Sequence, residues 1–175
     1  MYKNPVSTFL NGLMDRLFAV IGAVSAAQFP QFVQQYLQRL AGHAAEAQRL
    51  LNRYKQAAED AGMEFEVYVQ RFRNDPDAVV AEHGNIMTEV SERASYLQQA
   101  VEALQSSHAL NRPFVFMNYL DTEIVWEALL IFQPGIPTTA EGALYALTGI
   151  ALGLLCYNGL KWPVWKFQEK RKAKE

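Results

Sequence analysis

Histidine and acidic side chains are the residues of this chain best suited to chemistry, and there are three histidines. His43 is followed by Glu46 at a spacing that places both on one helical face, as two metal ligands would require. A bridged di-iron site instead reads Glu-x-x-His and draws carboxylates from four helices, and a closed zinc shell takes four ligands. His83 and His108 fall on one helical seam but lie about 37 Å apart along it, too far to share an ion. The expected role of all three is therefore structural or solvent-facing. A histidine on a helix seam would also make the pairing sensitive to pH between about 5 and 7. Nucleophile arrangements are missing: there is no G-x-S-x-G, no phosphate-cradling glycine loop and no dinucleotide fingerprint. The single cysteine, Cys156, sits in an apolar run, so no intrachain disulfide forms. The expectation is no catalytic residue, no cofactor and no metal site, and hence not an enzyme. One acid stands apart: Asp15 lies beside a long apolar stretch. An acid at such a place relays protons or binds a cation, but its neighbour Arg16 favours an ion pair at a membrane interface.

The segment that organises the rest is Thr138 to Leu160, TTAEGALYALTGIALGLLCYNGL, whose one charge is Glu141 near its start. As a helix it spans about 30 Å, a hydrocarbon core's thickness. A basic tail, 161–175, follows, with Lys161, Lys166, Lys170, Arg171, Lys172 and Lys174. The segment reads as a membrane helix with a cytoplasmic stop. At the other end, Leu17–Ala27 is apolar, and two readings compete for it. One is a cleaved signal peptide with Ser25-Ala26-Ala27 as a small-residue site; the other is an uncleaved membrane helix over residues 6–29. The second is favoured because Phe9, Leu10, Leu13 and Met14 extend the apolar run before Arg16. Lys3 and Arg16 on the N-terminal side of this helix, and the basic tail after the last one, put both termini on the positive, cytoplasmic side. Residues 31–137 carry eight Lys or Arg against fourteen Asp or Glu. That acidity argues against nucleic-acid binding, which needs cations to displace phosphate counterions.

Between the two apolar segments the spacing is helical. Val33, Leu37, Leu40, Ala44, Ala47, Leu51, Tyr54, Ala58 and Ala61 recur at steps of four and three. Gly62 suits the end of that helix. Val80, His83, Met87, Val90, Ala94, Leu97, Val101, Leu104 and His108 form a second seam. A fold-back of the two gives an antiparallel coiled-coil hairpin over residues 31–109; two independent helices in a larger complex is the competing reading. The connection contains Met63–Arg73, read as a short helix although Phe65, Val67 and Val69 also alternate as a strand would. Asp75-Pro76-Asp77 reads as a helix start with Asp75 as the cap.

Residues 113–133 read as one apolar helix interrupted by polar residues, too polar to span. It either packs at the membrane end of the hairpin or docks another membrane protein. A Pro-Gly-Ile-Pro turn at 134–137 follows, and Thr138 with Glu141 forms a capping box. Small residues line one stripe of each spanning segment: Ala19, Gly22 and Ala26 in the first, Gly142, Ala146, Gly149 and Gly153 in the second. Such stripes let backbones approach in lipid, where no hydrophobic drive holds helices together. Tyr157, Trp162 and Trp165 suit an aromatic belt. The fold class is all-α: two transmembrane helices flanking a long hairpin outside the membrane.

Ala27-Gln28-Phe29-Pro30-Gln31-Phe32, then Gln35-Tyr36-Leu37-Gln38-Arg39-Leu40-Ala41-Gly42-His43, and Phe132 to Thr138 before the last span resemble a known family. It is a group of uncharacterised bacterial inner-membrane proteins of this length, defined as a domain of unknown function. The resemblance runs from end to end. It implies a bacterial source and two spans, with residues 31–137 periplasmic, and it brings no catalytic residue or ligand. Three functions follow in order of expectation. The first is an accessory or scaffolding subunit that binds a membrane protein complex. The second is a membrane sensor or regulator. The third is an oligomeric transport component built around Asp15. The expected partners are the lipid bilayer and a membrane protein complex or further copies of the chain, with no nucleic acid.

Overall fold

The computed structural model describes the backbone of residues 5–135 and 138–172, and the side chains of residue 9, 12–135 and 138–160. Trp162, Trp165 and the basic side chains of 161–175 lie outside the described side chains, and Ile136 and Pro137 of the expected turn lie outside the described residues. Among the described residues the chain is all-α, with no strand. It divides into two compact units, one made of residues 1–33 and 133–175, the other of residues 34–132.

The first unit pairs α1 (Pro5–Ala27) with α7 (Ala140–Lys172). α1 ends at a single turn residue, Gln28, and α2 (Phe29–Asp60) starts at once, with Pro30 in its first turn where no amide hydrogen is missed. The Gln28 side chain accepts from Gly135 N and donates to Gly135 O, both at 3.0 Å, and so ties the approach to α7 to the α1–α2 turn. The cap of α7 is Thr139, whose Oγ1 accepts from Gly142 N at 3.0 Å, one residue later than the expected Thr138. The helix also continues through residue 160 to Lys172, past Pro163. Stretches within 12–60 and over Ala140–Leu160 are long and apolar enough to cross a membrane. Their outward side chains are apolar too: Val20, Val24, Leu147 and Leu155 are each more than half exposed within the protein.

The second unit is built on α2 and α4 (Ala78–Gln105). Tyr54, late in α2, meets His83, early in α4, edge-on at 5.8 Å. Ala41 and Ala44, earlier in α2, share a groove with Gln98 and Val101, later in α4. The two helices therefore run antiparallel. Val33, Leu40, Ala44, Leu51 and Ala58 on α2, and Met87, Ala94, Leu97, Val101 and Leu104 on α4, are buried as their spacing predicts. Tyr36 is fully buried although it falls beside the expected seam, whereas Ala61, His83 and His108 on those seams are exposed. The seam frays at the helix ends, where fewer neighbours remain to cover it.

The connection has three local devices. Gly62, at φ +70°, closes α2: Met63 N donates to Ala58 O and Gly62 N to Glu59 O, a Schellman ending. α3 (Phe65–Arg73) is helical, and it buries Val69. Asp77, rather than Asp75, caps α4 through Val79 N at 2.8 Å, while Asp75 accepts from Asp77 N and shapes the preceding turn. α3 packs on α4 where Gly84 lacks a side chain; a Cβ there would lie 2.7 Å from Arg73 N and 3.1 Å from Phe72 Cβ.

Residues 113–133 form two helices instead of one, α5 (Arg112–Asn118) and α6 (Thr122–Leu130). Asp121 causes the break by capping α6, accepting from Glu123 N and Ile124 N. α5 buries Phe116, and α6 buries Ile124 and Ala128.

Candidate functional site

In the first unit five of the seven small residues of the two stripes, Ala19, Gly22, Ala26, Gly149 and Gly153, meet at one crossing. A Cβ on Gly149 would strike Gly22 O and lie 2.7 Å from Ala26 Cβ, and one on Gly153 would strike Phe18 O and lie 3.4 Å from Ala19 Cα. The backbones of α1 and α7 therefore touch, which only glycine permits here. Ring pairs flank the crossing, Phe18 with Tyr157 at 5.5 Å and Phe29 with Tyr145 at 5.4 Å. Their order makes the two helices antiparallel. Gly142 is buried beside the Thr139 cap, and Ala146 is half-buried. Asp15 is half-buried on α1 and Arg16 is exposed. Asp15 Oδ1 is shielded and has no hydrogen-bond partner among the described residues.

The second unit holds a polar cluster that joins α6 to α2 and α4. Arg39 Nη1 donates to Glu127 Oε2 at 2.7 Å, and His43 Nε2 lies 3.3 Å from the same oxygen. The hydrogen bond with His43, joined by the Arg39 guanidinium, holds the Glu127 carboxyl below the usual range despite the opposing effect of burial. Next to it, the buried Tyr36 hydroxyl donates to Tyr119 O and accepts from Asp121 N, both at 3.0 Å. Burial pushes this phenol up from its ordinary value. Arg93 pairs with Asp121 at 2.7 Å. Burial works to raise the Asp121 carboxyl, but the Ile124 and Glu123 amides and the Arg93 guanidinium outweigh it and hold it low.

His43 therefore takes its carboxylate from α6, eighty-four residues away, and not from Glu46, which pairs with Arg49 instead. His83 lies between the rings of Tyr54 and Phe72, at 5.8 Å from each. The backbone of His108 starts the turn into α5, its N donating to Asn111 Oδ1 at 2.7 Å. Among the described residues no three His, Cys, Asp or Glu side chains come close enough to hold a metal.

The cluster borders an open groove of about 710 Å³ between α2 and α4. Ala47, Leu50, Val90 and Leu97 wall it, and His43, Glu46, Glu89, Glu92 and Arg93 rim it. Three carboxylates on that rim outnumber the one permanent cation. The groove is thus apolar along its walls and charged at its rim. Sequence spacing missed Glu127, Asp121 and Tyr36, because each acts on an element distant in the chain. An isolated polar residue inside an apolar run was the available sign for the two acids.

No curated protein and no solved structure matches the chain. The family model described as "Protein of unknown function (DUF2937)" matches residues 10–169. The glycine crossing, the polar cluster and the groove all lie within that stretch, and the chain belongs to the DUF2937 family.

Proposed function

We propose that this chain is a non-enzymatic two-span protein of a bacterial inner membrane, serving as an accessory or scaffolding subunit of a membrane protein complex. Both termini are cytoplasmic and residues 31–137 periplasmic, a reading supported by Lys3, Arg16 and the basic tail. α2 and α4 act as an antiparallel coiled-coil hairpin, supported by their seams and their opposed directions. The observation that carries the function is the α2–α4 groove, whose apolar walls and acidic rim suit a partner helix with one apolar and one basic face. The small-residue crossing of α1 and α7 holds the anchor together.

The test isolates the tagged full chain from native membranes in mild detergent and measures the particle's mass and composition. A stoichiometric partner, lost on Leu50→Arg without loss of helicity, is the expected result. A lone monomer, or a partner indifferent to Leu50→Arg, overturns the reading. A second reading rests on the shielded Asp15 Oδ1: several copies form a transport path around it. Unchanged ion flux in proteoliposomes of Asp15→Asn would end that reading.

A further inference from the structure

We infer that the outward faces of α5 and α6 lie in the interface of a lipid bilayer, as a shallow apolar foot of the second unit. Each helix buries one face and turns an apolar one outward. On α5, Phe114 and Met117 are 73% and 68% exposed, while Phe116 is buried. On α6, Trp126 and Leu130 are 64% and 70% exposed and Leu129 half-exposed, while Ile124 and Ala128 are buried. The spacings, i to i+3 and i to i+4, put each exposed set on a single helical side. Only Tyr119 to Asp121 joins the two helices. Leaving so many large apolar side chains in water is costly, which marks such a face as a contact surface.

Lipid is the occupant favoured by chain continuity and by charge. Eight residues separate Ile131 from Ala140, where α7 begins its apolar run. Extended, that link reaches about 30 Å at most, so a spanning α7 keeps the foot within reach of the interface. Trp settles at headgroup depth, and Phe and Leu beside it suit the apolar face of a helix lying in the interface. The exposed faces carry no Lys or Arg, and their one charge, Glu123, sits in the first turn of α6 at the edge of the apolar set, so apolar burial rather than anionic headgroups supplies the attraction. The inference rests on the two-span reading, but it is independent of the α2–α4 groove.

The test follows Trp126 alone, in the full chain with Trp162→Phe and Trp165→Phe, after circular dichroism has shown unchanged helicity. The protein is placed in phosphatidylcholine vesicles whose acyl chains are brominated near the headgroup. The expected result is loss of most Trp126 emission to the bromine atoms, protection from aqueous iodide, and no change when anionic phosphatidylglycerol is added. Quenching by iodide and not by bromine overturns the inference by placing the foot in water. Quenching by neither overturns it by placing a second copy or a protein partner over the face. A parallel chain with Cys156→Ser and Ala151→Cys reports the span itself through a membrane-impermeant maleimide. Labelling of intact vesicles there overturns both readings, whereas protection there with Trp126 open to iodide overturns the foot alone.

Discussion

Gly149→Ala adds one methyl group at the point where α1 and α7 touch. The new Cβ would strike Gly22 O and lie 2.7 Å from both Gly22 C and Ala26 Cβ, where ordinary contact begins at 3.4 Å. All of these atoms are backbone or the stub of an alanine, so none swings aside; the helices themselves must separate. Overpacking of this kind costs about 1–3 kcal/mol, and the lost backbone approach forfeits weak Cα–H···O contacts of about 0.5–1 kcal/mol each. Alanine returns about 0.5–1 kcal/mol through helix propensity. The net loss is about 1–2 kcal/mol, or roughly 5- to 30-fold in the pairing equilibrium. Energy transfer between dyes on Cys156 and on an introduced Ile21→Cys reads the pairing directly, during titration of detergent micelles with SDS. Transfer should be lost at lower SDS in Gly149→Ala. Gly159→Ala, with nothing within 4 Å of its Cβ, is the control and should not weaken pairing. Equal midpoints for the two variants would refute the argument that backbone contact holds these helices.

The remaining predictions concern the second unit. Tyr36→Phe strands Asp121 N and Tyr119 O in a buried site, at a cost of about 1–3 kcal/mol, seen as a lower melting temperature with little change in helicity. Gly84→Ala drives a Cβ against the Arg73 backbone and should destabilise by about 1–3 kcal/mol, with faster protease cleavage between residues 73 and 77. Asp121 and Glu127 titrate lower in the folded chain than in the unfolded one, so the stability they contribute is complete above about pH 4.5 and is lost as pH falls through their folded values. Melting temperature should therefore hold between pH 7 and 5 and drop below about pH 4, and Asp121→Asn should flatten that drop; an unchanged acid limb in the variant would remove Asp121 from the account.

What could be read from the chain and what could not divides by the range of the forces involved. Apolar run length, four-and-three spacing, the Gly62 ending and the small-residue stripes all act within one or two helical turns. They are written in consecutive residues, and so the all-α class, the α2 and α4 core positions and the short α3 were legible. Caps were legible only to within a residue or two: Asp77 and Thr139 hold the positions expected of Asp75 and Thr138. Neighbouring polar side chains compete for the same amides, and the winner depends on where the next helix lies. The polar interruptions of 113–133 looked like flaws in one helix; in the folded chain Asp121 ends one helix and starts another, and Glu127 faces α2. Gly84 had a sign in the sequence, an isolated glycine within a helical pattern, but only the packing of α3 shows what approaches it. The ion pair of Arg39 with Glu127 bridges eighty-eight residues, and no local rule selects one carboxylate among fourteen in that region. The partner of each buried polar group is chosen by whichever element packing brings within hydrogen-bond reach, and that choice belongs to the tertiary structure alone.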